Sequence, residues 1–273
     1  MNDGNEPQRW IADGPVLLDH SDGVATLTLN RPTASNGMNI ELMQALQAAV
    51  MRCHRDPAVR VVHLRGAGRN FCAGGDVQEF ASKGEALGPF LREVTAYLQM
   101  AIGALIRLNA VVVTEVHGYA AGGGGLGLVC ASDVVIAGQS ARFMAGATRV
   151  GMAPDGGASV TLPRLVGFRR AMDIVLSNRI VEATEAERIG LVTRVVADDE
   201  LAAEAARTAR LYATGAPKAL AAAKRLLWSG IGLGVEACLP EEARTVSELS
   251  MTADSREGLA AVIEKRKPVF RGT

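Results

Sequence analysis

Aromatic side chains are scarce in this sequence, at 4% of 273 residues, and there are four cysteines. Cys53, Cys72, Cys130 and Cys238 stand too far apart for metal or redox spacing. That excludes a disulfide scaffold and predicts small core residues in a reducing compartment. Charge of one sign is also missing, because 29 basic residues balance 29 acidic ones. No field exists to hold a nucleic-acid backbone or an anionic membrane, so neither is an expected partner. Long apolar runs are absent as well. The stretch around residues 98–116 is interrupted by Arg107 and Asn109, and the N-terminal MNDGNEPQRW is polar. With no signal core and no spanning segment, a cytoplasmic location is expected. The pattern GxxxxGK[ST] is missing, which excludes a Walker-type phosphate loop, and a GxSxG elbow is missing, which weakens a serine hydrolase reading. His20, His54, His63 and His117 lack HxxxH or HExxH spacing, so no metal is expected and each reads as structural. His117, beside a glycine run, is the one with a case for function.

What is present is a core-forming composition, 48% hydrophobic and 21% charged, in a length suited to one large domain or two small ones. Short β-branched runs predict strands at Val24 to Leu29, Val59 to Arg65, Val111 to Val116, Asp133 to Ala137 and Leu191 to Val196. Helical spacing predicts helices over 40–54 and from Phe90 to Leu105, the latter with Pro89 in its first turn. Strands separated by helices need crossover connections, which implies an α/β architecture with parallel pairing. Beyond about residue 198 the rhythm becomes helix after helix. Pro217 opens one that stops at Gly230, a second lies near 235–251, and Asp254 with Glu257 opens the last. The division expected is 1–197 as a ligand-binding core and 198–273 as an Ala-rich helical region that docks on its own core or on a neighbouring subunit.

Three loops carry unusual chemistry. Gly66 to Asp76, GAGRNFCAGGD, follows a strand and precedes a helix, and its small residues let backbone amides approach a ligand. Asp76 is also a natural helix cap. His117 to Gly127, HGYAAGGGGLG, formally matches the dinucleotide pattern GxGxxG. Residues 138–150 contain no Asp or Glu to hold a ribose, so the glycines suit a nest of donors for a developing oxyanion better. Arg149 to Gly157, RVGMAPDGG, presents Asp155 between Pro and Gly. A carboxylate facing an oxyanion hole is the minimum arrangement for removing a proton beside a carbonyl.

The segments LTLNRPTASNGMN, FCAGGDV, HGYAAGGGGLGLVCASDVVIAG, ARFMAGATRVGMAPDGGASVTLPRLVG, ALAAAKRLL and EKRKPVFRG, in this order, resemble the crotonase (enoyl-CoA hydratase/isomerase) superfamily across nearly the whole chain. The resemblance implies a spiral of ββα units, a C-terminal helical region for a homotrimer or a dimer of trimers, and an acyl-CoA thioester as substrate. Coenzyme A would be part of that substrate, with no tightly bound cofactor. It further implies that Ala73 supplies one oxyanion amide and the glycine run the other, Gly123 counting from the strand or Gly124 counting back from Leu126. Arg31, Ala73, Gly74, Asp76, Lys224, Lys265 and Lys267 become candidates for binding coenzyme A. The acyl pocket would be lined from the helical stretch 76–105 and by Met144 and Met152.

The two glutamates of family hydratases fall here on Gly127 (or Leu126) and on Ala147, which cannot move protons. Asp155 falls where isomerases of the superfamily place an acid. The resemblance therefore favours a double-bond isomerase with Asp155 as the proton shuttle. Alternatives are a hydratase using Asp155 or Glu115, an odd charge in an apolar strand, and a non-catalytic acyl-CoA binder. A relative recruited to RNA is disfavoured by the balanced charge.

Overall fold

A computed structural model describes residues 7–273, so the MNDGNE portion of the polar N-terminus lies outside the described residues. In chain order the elements begin with β1 (Gln8–Ile11), β2 (Val16–Ser21), β3 (Val24–Leu29), α1 (Ile40–Arg55), β4 (Val61–Gly66), α2 (Val77–Ser82), α3 (Leu87–Arg107) and β5 (Val111–Val116). Then come β6 (Tyr119–Ala121), α4 (Gly122–Cys130), β7 (Val134–Gly138), β8 (Arg142–Met144), α5 (Ala158–Val166), α6 (Phe168–Ser177), β9 (Val181–Glu182), α7 (Ala183–Arg188) and β10 (Arg194–Val196). The chain closes with α8 (Leu201–Ala213), α9 (Pro217–Gly230), α10 (Val235–Ser250) and α11 (Ala253–Glu264).

The main sheet has the order β1-β2-β3-β4-β5-β7-β10. It is antiparallel through β1, β2 and β3 and parallel from β3 onward. A second sheet, β6-β8-β9, stands beside it. The parallel part follows from the connections, since α1 carries the chain from β3 to β4 and α3 from β4 to β5. Every residue of β5, VVVTEV, is buried, as expected of a central strand covered on both faces. Leu42, Leu46 and Val50 of α1 join Leu98 and Leu105 of α3 in the main core on one face. On the other face Val61, Val111 and Val113 meet Ala209 and Ala213 of α8.

Most predicted elements are present within a residue or three. The helical rhythm does begin near 198, but α8 is a layer of the core packed on β4, β5 and β7, and α9 also reaches β5, so only α10 and α11 stand clear of the sheet. Asp254 does not open the last helix. Thr252 caps it, accepting from the Ser255 amide at 3.1 Å, while the buried Asp254 carboxylate holds the amides of Arg271 (2.7 Å) and Gly272 (2.8 Å) in the C-terminal tail. Cys53, Cys72 and Cys130 are buried, which pushes their thiols up to about 12 and leaves them unreactive, whereas Cys238 is half-buried. Among the described residues no helix is long and apolar enough to cross a membrane.

Candidate active site

The first two loops leave β4 and β5 at their C-terminal ends, the edge where parallel sheets offer ligand sites. Cys72 bridges to Ala120, with its amide donating to the Tyr119 carbonyl at 3.0 Å and its carbonyl accepting from Ala121 at 2.9 Å. Three residues on, the chain changes partner, and Met38 bridges to Gly75. The Met38 amide donates to Gly74 O (2.8 Å) and the Met38 carbonyl accepts from Asp76 N (3.0 Å). In a parallel bridge of this kind the central residue turns its own N–H away from the bridging strand. The Gly75 amide has no acceptor among the described residues and faces α4, where a Cβ added to Gly122 would stand 3.9 Å from Gly75 N. Gly74 and Gly122 both have positive φ, +100° and +60°, and a Cβ on Gly122 would come 3.3 Å from Gly74 Cα. Only glycine permits that approach in those conformations.

The helix α4 begins at Gly122 with no side-chain cap, so its first amides are open to an anion. Asp155 lies against them. The turn that carries it packs directly on α4, with a Cβ on Gly127 falling 3.0 Å from Gly156 O. A Cβ on Gly123 would overlap the Asp155 carboxylate, 2.8 Å from Oδ2, whereas one on Gly124 would overlap the Met38 thioether. Burial raises the Asp155 pKa above the ordinary carboxylate range, and hydrogen bonds from its own amide and from Gly123 offset part of that rise. A half-buried carboxylate of raised basicity at an open helix start is equipped to carry a proton beside a stabilised oxyanion.

Of the candidates, Asp155, Gly74 and Gly123 converge here, with Gly124 one residue further along α4. Ala73 is a correction: its amide donates to Ser35 O at 3.0 Å, so Gly75 carries the open amide of this loop. Sequence reasoning passed over Gly75, although a glycine directly before a capping aspartate is a signal for such an amide. Asp76 does cap α2, accepting from Glu79 N at 3.1 Å, and its second oxygen holds Arg31 at 2.9 Å. Arg31 also donates to Gly37 O. Lys224 is a further correction. Its buried ammonium donates to Asp133 (2.8 Å), Leu105 O (2.9 Å) and Ala110 O (3.0 Å), which occupies all three of its hydrogens in anchoring α9. Lys265 and Lys267 are exposed after α11, with no ion pair among the described residues.

The stretch 76–105 is two helices, not one. Phe80 of α2 covers Gly75, where an added Cβ would overlap its ring, and Phe90 of α3 meets Phe80 edge-on at 6.0 Å. Ile102 of α3 reaches the Asp155 turn, with Cδ1 3.1 Å from a Cβ on Gly156. Gly146 sits between the Gly122 amide and the Met144 methyl, and Met152 is half-buried beyond.

Glu115 is not available to this site. It shares the β5 face of Val111 and Val113, turned towards α8, and bonds buried His63 at 2.9 Å. Burial alone would raise its pKa, but the His63 bond and charge, with Arg65 and His117, hold it below the ordinary range. His117 bonds Gly68 O (2.9 Å) and lines a separate cavity of about 320 Å³ with Arg69, Tyr119, Arg142 and Asp198. His54 bonds Ala104 O and His20 stacks on Trp10. Leu126, at one of the missing glutamate positions, is buried in the core, and Ala147 starts a short 3-10 turn.

A crotonase-like α/β fold is the class these features define, and comparison with known proteins agrees. The enoyl-CoA hydratase/isomerase family model matches residues 19–273, and the chain belongs to that family. A Rhodobacter capsulatus protein named "Probable enoyl-CoA hydratase" is 40% identical over 257 residues, covering 94% of this chain and 98% of its own. The 1,2-epoxyphenylacetyl-CoA isomerase of Escherichia coli is 34% identical over 258 residues, covering 94% and 98%. The crystal structure of an enoyl-CoA hydratase from Bacillus anthracis superposes with a TM-score of 0.90 at 31% identity, covering 95% of this chain and 100% of that one.

Proposed function

We propose that this member of the family moves a double bond of an enoyl-CoA thioester. The thioester oxygen is held by the Gly75 amide and by the first-turn amide of Gly124 in α4, since the Gly123 amide donates to Asp155. Asp155 takes a proton from the α-carbon of a β,γ-unsaturated acyl group, and the electron pair of that C–H bond passes into an enolate on the held oxygen. The protonated Asp155 then returns the proton to the γ-carbon as the enolate electrons form the α,β double bond. No atom is gained or lost, and one carboxylate suffices. The observation that carries the reading is that Asp155 lies on Gly123, while Gly127 (or Leu126) and Ala147 stand where the family resemblance puts the glutamates of a hydratase. The thioester's coenzyme A would pass near Arg31 and Asp76, with Lys265 and Lys267 available from the tail or from a neighbouring copy. A homotrimer or a dimer of trimers fits the exposed apolar residues Val246, Met251, Leu259, Val262 and Ile263 on α10, α11 and their junction. A cytoplasmic location is part of the same reading.

Several relatives carry hydratase names, so water addition is the second reading. Incubation of the enzyme with enoyl, hydroxyacyl and arylacetyl thioesters in deuterated water distinguishes them. Deuterium at the α- or γ-carbon without added oxygen is expected. A hydroxyacyl product from a conjugated enoyl thioester would replace isomerisation with hydration, and tight binding without turnover across the panel would leave a binder. Asp155→Asn should abolish the exchange while leaving coenzyme A affinity nearly intact.

A further inference from the structure

The Gly75 amide is aimed by the segment that bridges it, and that segment is held by a side chain outside the site. We infer that Asn36 is a positioning residue that sets the Gly75 amide against the start of α4. The inference rests on the reading of Gly75 as an oxyanion donor.

Asn36 is fully buried and left-handed, with φ +53°, a conformation Asn tolerates better than most residues. Its Oδ1 accepts from Arg31 N at 2.8 Å. Its Nδ2 lies 2.9 Å from Ala67 O, 2.8 Å from Asn70 O and 3.0 Å from Phe71 O. Its main chain is engaged as well, the amide donating to Arg31 O at 2.9 Å and the carbonyl accepting from Cys72 Sγ at 3.1 Å. One side chain thus joins the segment after β3 to the loop after β4. Two further rungs join the same pair of segments: Ala73 N to Ser35 O, and the Met38 bridge that brackets Gly75. Removing the Asn36 amide takes away the two N–H groups that these three carbonyls share at the root of this ladder. The segments can then slide, and the displacement reaches Gly75 at its tip. A shift of about 1 Å in a reacting group can cost about 100-fold in rate.

The test compares Asn36→Gly and Asn36→Asp with the wild-type full chain. Glycine accepts the left-handed backbone, and Asp keeps the acceptor for Arg31 N while losing the donors. An acyl-CoA thioester labelled with ¹³C at its carbonyl should show a lowered carbonyl stretch when bound to the wild type. In both variants that lowering should shrink by about half or more, kcat should fall about 10- to 100-fold, and KM should stay within about threefold. A merely structural residue would lower the folded fraction without changing the carbonyl signature of the folded enzyme. Full carbonyl lowering with unchanged kcat in a folded variant overturns the inference. If neither variant folds at 10 °C with saturating coenzyme A, Asn36 belongs to folding alone and the inference also falls. No lowering in the wild type would overturn Gly75 as a donor, and the role of Asn36 with it.

Discussion

Asp155 lies so close to Gly123 that a single methyl group on the glycine would overlap its carboxylate. Gly123→Ala is therefore expected to displace Asp155 and lower kcat/KM by at least about 100-fold, the scale of losing a positioned general base. Alanine is the better helix former by about 1 kcal/mol, so helix propensity does not penalise the change. Turnover measured beside thermal unfolding checks this, and a variant of full activity would mean that the carboxylate does not need this position.

The raised pKa of Asp155 gives two pH dependences. As a base the group must be ionised, so kcat/KM should fall as pH drops through a midpoint above the ordinary carboxylate value. For stability the sign is opposite. Folding favours the protonated form, so the group's contribution is complete below its unfolded pKa and is lost as pH rises through its folded pKa. Asp155→Asn should thus unfold at a higher temperature than wild type near pH 7, by about 2–4 °C if 1 kcal/mol is recovered, with the gap closing in acid. Calorimetry at pH 3.5 and 7 checks it.

Glu115→Gln should leave isomerisation within about threefold of wild type, because the carboxylate faces α8 and His63 and not Asp155. The depressed Glu115 pKa contributes stability above its unfolded value that is lost as pH falls through its folded one. The variant should accordingly be less stable than wild type at neutral pH and lose that difference in acid. A collapse of turnover in a folded Glu115→Gln enzyme would return this carboxylate to the mechanism.

Lys224→Met should cost about 3–5 kcal/mol, the usual penalty for breaking a buried pair and leaving one charge unmatched. Asp133 would keep its bonds from Val112 N (2.8 Å) and Trp228 Nε1 (2.9 Å) but lose its counter-charge. Denaturant titration gives the loss directly. The kcat of the folded fraction should not change, since the ammonium serves α9 and not the substrate.

Much of this molecule is legible along the chain. The valine runs of β4 and β5 announce buried strands, the apolar spacing of α1 and α3 announces helices, and Asp155 between Pro and Gly announces a turn. These depend on neighbours within a few residues. Ala73 and Gly75 show where such reading stops: both sit in one small-residue loop, and which amide is open depends on Ser35 and Met38, nearly 40 positions earlier. Lys224 and Glu115 failed similarly. Each looks like an available charge until its partner, Asp133 before β7 or His63 on β4, arrives from a distant part of the chain.

Residue order alone dictated the layered α/β class and the three loops of unusual chemistry, because periodicity and side-chain chemistry are local properties. Tertiary structure decided which backbone hydrogens stay unpaired and which ionised groups are already matched. Those outcomes depend on hydrogen-bond partners brought together across the sheet, and a donor once satisfied inside the fold cannot serve a substrate.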